Sequence, residues 1–343
     1  MGDRYRAAGV NVEEARRAID LIARAAATTA TSSVLSVVGG FGSLFRFDPS
    51  GYPDPVLVAS TDGVGTKLKV ALALGRYDTI GIDLVHHCIN DIAVQGADPL
   101  FFLDYLAVGK LHAEVAAEIV TGIANACAAS GVALVGGETA ELPDLYRGDD
   151  FDLAGFIVGV VARADVIDGS GVRAGDALLG LPSSGLHTNG YSLARTVFSE
   201  EDWARRAPGL ERTIGEVLLE PHRSYLDEIR LLRRALRAAG GDALALAHLT
   251  GGGWVDNIPR TLPPELGVEV ELGSWPVPII FSLIQERGDI DDAEMVRTFN
   301  LGIGLTFVAR PELVEAAQAA VPEARRVGTV VPVAPGSNRV SFV

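Results

Sequence analysis

The chain has 343 residues, 48% of them hydrophobic and 21% charged, and a formal net charge of −15 at pH 7. That length exceeds what one hydrophobic core usually serves, so two domains are expected, and the aliphatic content excludes a disordered chain. With no basic run to offset it, the negative charge excludes a polyanion partner such as DNA; small phosphorylated ligands stay open, since helix N-termini, glycine-loop amides and a metal ion can hold phosphate.

The amino-terminal stretch MGDRYRAAGVNVEEARR is charged and lacks an apolar core of signal-peptide length, and no apolar run reaches spanning length. A cytoplasmic location without a membrane partner is expected. Cys88 and Cys127 both fall in apolar helical patterns, which suits reduced, buried thiols. Cations are almost all arginine; the three lysines are Lys67, Lys69 and Lys110.

Residues 13–27 have the period of an amphipathic helix, with Ile19, Ile22 and Ala26 on one side. The small polar segment TTATSS follows at 28–33, and then Gly39, Gly40 and Gly42, a composition that suits a mobile arm. From residue 56 compact apolar runs alternate with helical periods: VLVAS, a helix over 79–95, FFLDYLAVG, a helix over 113–129, VALVGG, and an apolar run over 153–162. RADVIDGSGVRAGD reads as the crossing into a second domain, which places the domains at 1–168 and 169–343. The second half begins with ALLGLP and carries helical patterns over 222–238, 279–287 and 311–320, with VEVEL, LGIGLTFVA and RVGTVVPV as strands. Both halves mix strands and helices.

Directly after the first strand, STDGVGTKL places an acid, two glycines, a hydroxyl and an amine within six residues. Asp62 can bind Mg²⁺, Gly63 and Gly65 let amides approach oxygens, and Thr66 and Lys67 can contact phosphate. The spacing is not that of a Walker loop. Asp91 lies in the helical stretch GIDLVHHCINDIAVQGA, with Asp83 and His87 eight and four residues earlier. His86 and His87 lack metal-ligand spacing and read as solvent-facing or core residues. VALVGGETAEL ends in Gly136, Gly137, Glu138 and Thr139. Oxygen ligands from Asp62, Asp91 and Glu138 would make a hard-cation site for Mg²⁺ and nucleotide phosphates; the plainer account is three acids that each cap a turn.

In the second half LPSSGLHTNGYSLAR runs from a strand through a glycine turn into a helix, so Ser183, Ser184, Thr188 and Asn189 surround a candidate anion site. His187 offers a proton donor or acceptor there. A second glycine loop, LTGGGWVDNIPR with Gly251 and Gly252, also precedes a helix. A Ser184–His187 hydrolase is set aside, because the GxSxG elbow is missing.

Over nearly its whole length the chain resembles the phosphoribosylformylglycinamidine cyclo-ligases, also called aminoimidazole ribonucleotide synthetases. The shared blocks, in order, are YRAAGV, GGFGSLF, STDGVGTKL, GIDLVHHCIND, DPLFFLDYLAVGKL, LVGGETAELPDLY, SSGLHTNGYSLAR, LTGGGWVDNIPR and TFNLGIG. The resemblance implies an α+β homodimer whose first-domain strands form one shared barrel, with an α/β sandwich as second domain. It implies an ATP- and Mg²⁺-dependent enzyme of purine biosynthesis acting on a small phosphorylated substrate. Asp62, Asp91 and Glu138 would hold the metal. Gly39, Gly40, Gly42, Asp62, Gly63, Thr66, Lys67, Asp91, Gly136, Gly137 and Thr139 would bind nucleotide, and Ser183, Ser184, Thr188, Asn189, Gly251 and Gly252 would bind substrate, with His187 and Lys67 catalytic. Family members often carry a lysine in the first helix followed by a basic stretch; this chain has Ala23 and TTATSS. Related alternatives are a kinase or synthetase of the same superfamily, such as thiamine-monophosphate kinase, or a non-catalytic nucleotide-binding paralogue.

Overall fold

The computed structural model describes residues 11–36 and 39–343, so the YRAAGV segment lies outside the described residues. The chain forms two compact units. One comprises Met1–Ile92 and Ala97–Ala164, the other Ala93–Gly96 and Asp165–Val343. Each has its own sheet, which makes the architecture mixed α/β.

The first unit runs α1 (Val12–Ala27), β1 (Pro55–Gly63), α2 (Lys67–Leu74), α3 (Ile80–Ala93), β2 (Asp98–Val108), α4 (Ala113–Ala129), β3 (Ala133–Glu141) and β4 (Phe151–Ala162). Asn11 caps α1 by accepting the Glu14 amide at 3.3 Å, with Glu13 and Glu14 placed favourably in the first turn. The strand order is β1-β4-β2-β3. β4 pairs antiparallel with β1 and β2, while β2 and β3 run parallel, the pairing that a crossover helix such as α4 allows. α3 buries Ile80, Leu84, Ile89 and Ile92 completely, each worth about 1.5–3 kcal/mol. It comes close to α4 because Gly81 lacks a side chain: a Cβ there would lie 2.2 Å from the Ile119 carbonyl oxygen.

The second unit runs β5 (Ala177–Pro182), α5 (Tyr191–Val197), α6 (Glu200–Trp203), α7 (Ile214–Leu218), α8 (Leu226–Ala238), β6 (Ala245–His248), α9 (Gly253–Asn257), β7 (Leu266–Val270), α10 (Ile279–Gly288), α11 (Asp292–Thr298), β8 (Ile303–Ala309), α12 (Val314–Ala320), β9 (Arg325–Pro332) and β10 (Val340–Phe342). Its six-stranded sheet has the order β10-β7-β9-β5-β8-β6, antiparallel except for β10 with β7. On one face Leu178, Ala247, Val268, Ile303 and Val327 pack with Trp254 and Trp275, whose rings stack at 4.9 Å. On the other, Gly304 gives room to His187 and Tyr225: a Cβ there would lie 2.4 Å from His187 Cε1 and 2.1 Å from Tyr225 Oη. Among the described residues no helix is long and apolar enough to cross a membrane.

Candidate functional site

β1 continues through the STDG motif to Gly63, so Asp62 stands on the strand rather than in the loop after it. Antiparallel pairing with β4 holds it there, opposite Gly155. α3 passes beneath and presents His87, whose side chain is 3% exposed, with Nε2 2.7 Å from Asp62 Oδ2 and 3.9 Å from Asp91 Oδ2. Ser60 Oγ donates to Asp91 Oδ2 at 3.1 Å. Two acids far apart in the chain therefore meet on one imidazole, and both keep accessible surface, 39% for Asp62 and 27% for Asp91. Burial pulls the His87 pKa down, but the Asp62 hydrogen bond and charge, with Asp91 and Asp83, outweigh it and leave the pKa raised. Hard, partly exposed oxygen donors fit a divalent cation such as Mg²⁺.

Glu138 stands elsewhere. Asp62 is opposite Gly155, Gly155 opposite Asp104, and Asp104 opposite Gly137, so β1 and β3 are three strand spacings apart, about 14 Å. Glu138 is the next residue along β3 and projects from the opposite face of the sheet. Within one chain it does not join Asp62 and Asp91. It keeps company instead with Gly136, Gly137, Thr139 and the glycine arm. Ser43 Oγ donates to the Val135 carbonyl, and the bonds Leu35 N–H to Leu44 O (2.8 Å) and Arg46 N–H to Ser33 O (2.7 Å) tie the arm's two ends together around Gly39, Gly40 and Gly42. The expected nucleotide residues thus form two groups, one on β1 and α3, the other on the β3 edge.

Lys67 was expected to meet phosphate. Its side chain is instead fully buried, with Nζ 2.8 Å from Asp83 Oδ1, and Asp83 is equally buried. Thr66, the residue before it, sits at the N-cap of α2. Removing one member of a buried ion pair typically costs about 3–5 kcal/mol, so Lys67 is first of all a structural cation. Cys88 and Cys127 are buried free thiols, and burial pushes both above the usual range.

In the second unit the polar loop after β5 folds onto itself. Ser183 Oγ contacts the Gly185 carbonyl at 2.9 Å and Asn300 Oδ1 at 3.1 Å, and Ser184 Oγ donates to the Pro221 carbonyl at 2.5 Å. His187, 1% exposed and at a φ of +64°, accepts the Ser184 amide at Nε2 over 3.3 Å. Asn189 lies beside the second glycine loop, where a Cβ on Gly251 would come 3.3 Å from Asn189 Oδ1. That loop, with Gly252 at a φ of +89°, is closed by Asn257 Nδ2, which donates to the carbonyls of Thr250, Gly251 and Gly253. The helices after the two loops have only seven and five residues, so a helix dipole contributes little here beside the side chains and loop amides.

Sequence reasoning missed three residues here. Asn300 is 4% exposed and holds the serine loop through Gly185 and Ser183. His222 and His248 are also buried, with Nε2 atoms 2.9 Å apart, and the His222 ring stacks on His187 at 3.9 Å. No local spacing links them; the signal was that the chain has only six histidines and half of them gather at one place.

The family model "AIR synthase related protein, N-terminal domain" matches residues 47–161, and its C-terminal counterpart matches 173–338. A phosphoribosylformylglycinamidine cyclo-ligase from Desulfitobacterium hafniense (strain DSM 10664 / DCB-2) is 50% identical over 315 residues, covering 92% of this chain and 91% of that protein. Among solved structures, Escherichia coli HypE aligns with a TM-score of 0.67 at 19% identity, over 96% of this chain and 93% of that one. The hydrogenase maturation protein HypE in complex with ATP gives 0.65 at 19%, over 97% and 92%. At that identity the structural likeness speaks for the fold alone, while the sequence matches across both domains decide the family: the chain belongs to the phosphoribosylformylglycinamidine cyclo-ligases.

Proposed function

We propose that this protein is the ATP-dependent cyclo-ligase that converts formylglycinamidine ribonucleotide to aminoimidazole ribonucleotide in the cytosol, releasing ADP and phosphate. ATP phosphorylates the formyl oxygen, an amidine-derived nitrogen attacks the activated carbon, and phosphate leaves as the ring closes. Family membership supports this reading, and one observation carries it to residues: Asp62 and Asp91 converge at an accessible strand end. Asp62 and Asp91 would hold Mg²⁺, which when bound screens the charge of the nucleotide phosphates. Gly63 and Thr66 would add contacts to the phosphates, and Lys67 would support them indirectly by fixing Asp83.

Glu138, with Gly136, Gly137, Thr139 and the 39–42 arm, would complete the nucleotide site from a second copy of the chain, which resolves their separation from Asp62. A homodimer sharing a barrel fits the outer face of the first sheet, where Leu57 and Phe156 remain 63% and 43% exposed. Ser183, Ser184, Thr188, Asn189, Gly251 and Gly252 would receive the substrate, with His187 orienting it and assisting proton transfer.

Purified protein with Mg²⁺, ATP and formylglycinamidine ribonucleotide should release ADP and form an aminoimidazole. Asp62→Asn should weaken nucleotide binding roughly 10- to 100-fold, corresponding to about 1.5–3 kcal/mol for a charged contact. His187→Ala should leave nucleotide affinity intact and lower turnover about 10²- to 10⁴-fold. ATP bound tightly without any ring closure would sink the assignment, and unchanged nucleotide affinity in Asp62→Asn would remove the cation site.

A further inference from the structure

The second unit contains a cluster that ring closure does not use in full. His187 comes from the loop after β5, His222 from the segment before α8, and His248 from the end of β6. Their exposures are 1%, 1% and 5%, and one donor nitrogen from each lies within 4.8 Å of the others. We propose that these three imidazoles form a binding site for a late first-row transition dication, a proposal whose metal-binding test does not depend on the ring-closure reading.

The arrangement at His222 is that of a metal ligand with its supporting group. Thr188 Oγ1 lies 3.3 Å from His222 Nδ1. A proton on Nδ1 shared with that hydroxyl leaves the lone pair on Nε2, which faces His248 Nε2 at 2.9 Å. Two imidazole lone pairs at that separation repel unless a proton or a cation lies between them. Nitrogens bound about 2.0–2.1 Å from a tetrahedral Zn²⁺ stand roughly 3.3 Å apart, so the pair needs to open by only a few tenths of an ångström.

His187 supplies the third ligand. Its ring is stacked on His222, 20° from parallel, so it must tilt to aim a lone pair at the shared point and release the 3.3 Å bond from the Ser184 amide. The missing side chain at Gly304 leaves the space in which that ring sits. Three imidazole nitrogen donors select Zn²⁺, Co²⁺ or Ni²⁺ over Mg²⁺. Three protein ligands also leave a fourth position for water or an oxygen of a bound molecule, the pattern of open zinc sites.

The test uses the full-length, tag-free protein after chelator treatment, titrated with Co²⁺ and then with Zn²⁺. The expected result is one Co²⁺ per chain with the intense visible bands of tetrahedral coordination, displaced by Zn²⁺. His222→Ala should abolish those bands, and Thr188→Val, which keeps all three imidazoles, should weaken Co²⁺ binding about 10- to 100-fold. Circular dichroism verifies folding; should His222→Ala fail to fold, His248→Gln takes its place with the same expectation. Absence of tetrahedral bands in the wild type, or bands that survive removal of His222 or His248, would overturn the proposal and leave a proton shared between two imidazoles as the account of their close approach.

Discussion

Asp104 lies in the middle of β2 with its carboxyl against the backbone of β3; a Cβ on Gly137 would fall 2.3 Å from its Oδ1. Burial raises its pKa to about 7, only partly offset by a backbone hydrogen bond. An unfolded aspartate titrates near 3.9, so between about pH 4 and pH 7 the folded chain keeps a proton that the unfolded chain releases. Stability from this group is therefore highest below pH 4, falls as the pH rises, and is level above 7, a difference of up to roughly 4 kcal/mol. Asp104→Asn removes the charge and should raise the urea midpoint clearly at pH 8 while changing it little near pH 4; equal shifts at both pH values would refute the burial account. Sequence could not announce this residue, because FFLDYLAVG is read as an ordinary strand until the neighbour opposite Asp104 is known. Asp62 and Asp91 were legible, since an acid beside glycines at a strand end and an acid in an apolar helix each ask for a partner. Lys67 misled because adjacency to a phosphate-like loop says nothing of the direction of a long side chain.

Among the elements, the long periodic helices were readable to within a few residues: 79–95 against Ile80–Ala93, and 113–129 against Ala113–Ala129. The start of α8 was not, since 222–225 is shaped by tertiary contacts, Tyr225 Oη to the Pro182 carbonyl and Arg223 to Glu228 among them, and not by local period. Strands were underestimated where they carry polar residues, as at Asp62 and Glu138, because alternation is hidden by glycine. The short edge strand β10 left too little pattern to find. The glycine loops show how differently one residue type can act. Gly253 has a φ of +57° and a Cβ there would lie 2.2 Å from the Val296 carbonyl, whereas Gly131 has a φ of +70° and open space around it. Gly131→Ala should cost about 1–2 kcal/mol from backbone strain alone. Gly253→Ala adds an overlap between α9 and the end of α11 and should cost about 1–3 kcal/mol more, read as the difference between the two urea midpoints. Similar losses in the two variants would mean that α9 and α11 can separate freely.

For the whole molecule, the decisive fact is that the first unit places its candidate nucleotide residues on two faces and at the two opposite edges of one sheet. Asp62 and Asp91 belong to the β1 side, Glu138 and the glycine arm to the β3 side, and no side-chain rotation bridges about 14 Å. A second copy laid against the outer face can bring a β3 edge to a β1 end, and the same contact would cover Leu57 and Phe156. In the proposed dimer one surface would answer for both assembly and chemistry. Phe156→Glu puts a charge in the middle of that contact while leaving the helix-packed face, with Leu153 and Ile157, untouched. Sedimentation should show a dimer for the wild type and a monomer for Phe156→Glu, with ring closure lost and circular dichroism retained. Mixing Phe156→Glu with an excess of Asp62→Asn chains should not restore turnover, since the contact surface of one partner is still spoiled. A fully active monomer would show that one chain suffices and that Glu138 lies outside the site, and a Phe156→Glu dimer with normal turnover would show that the contact does not run through Phe156.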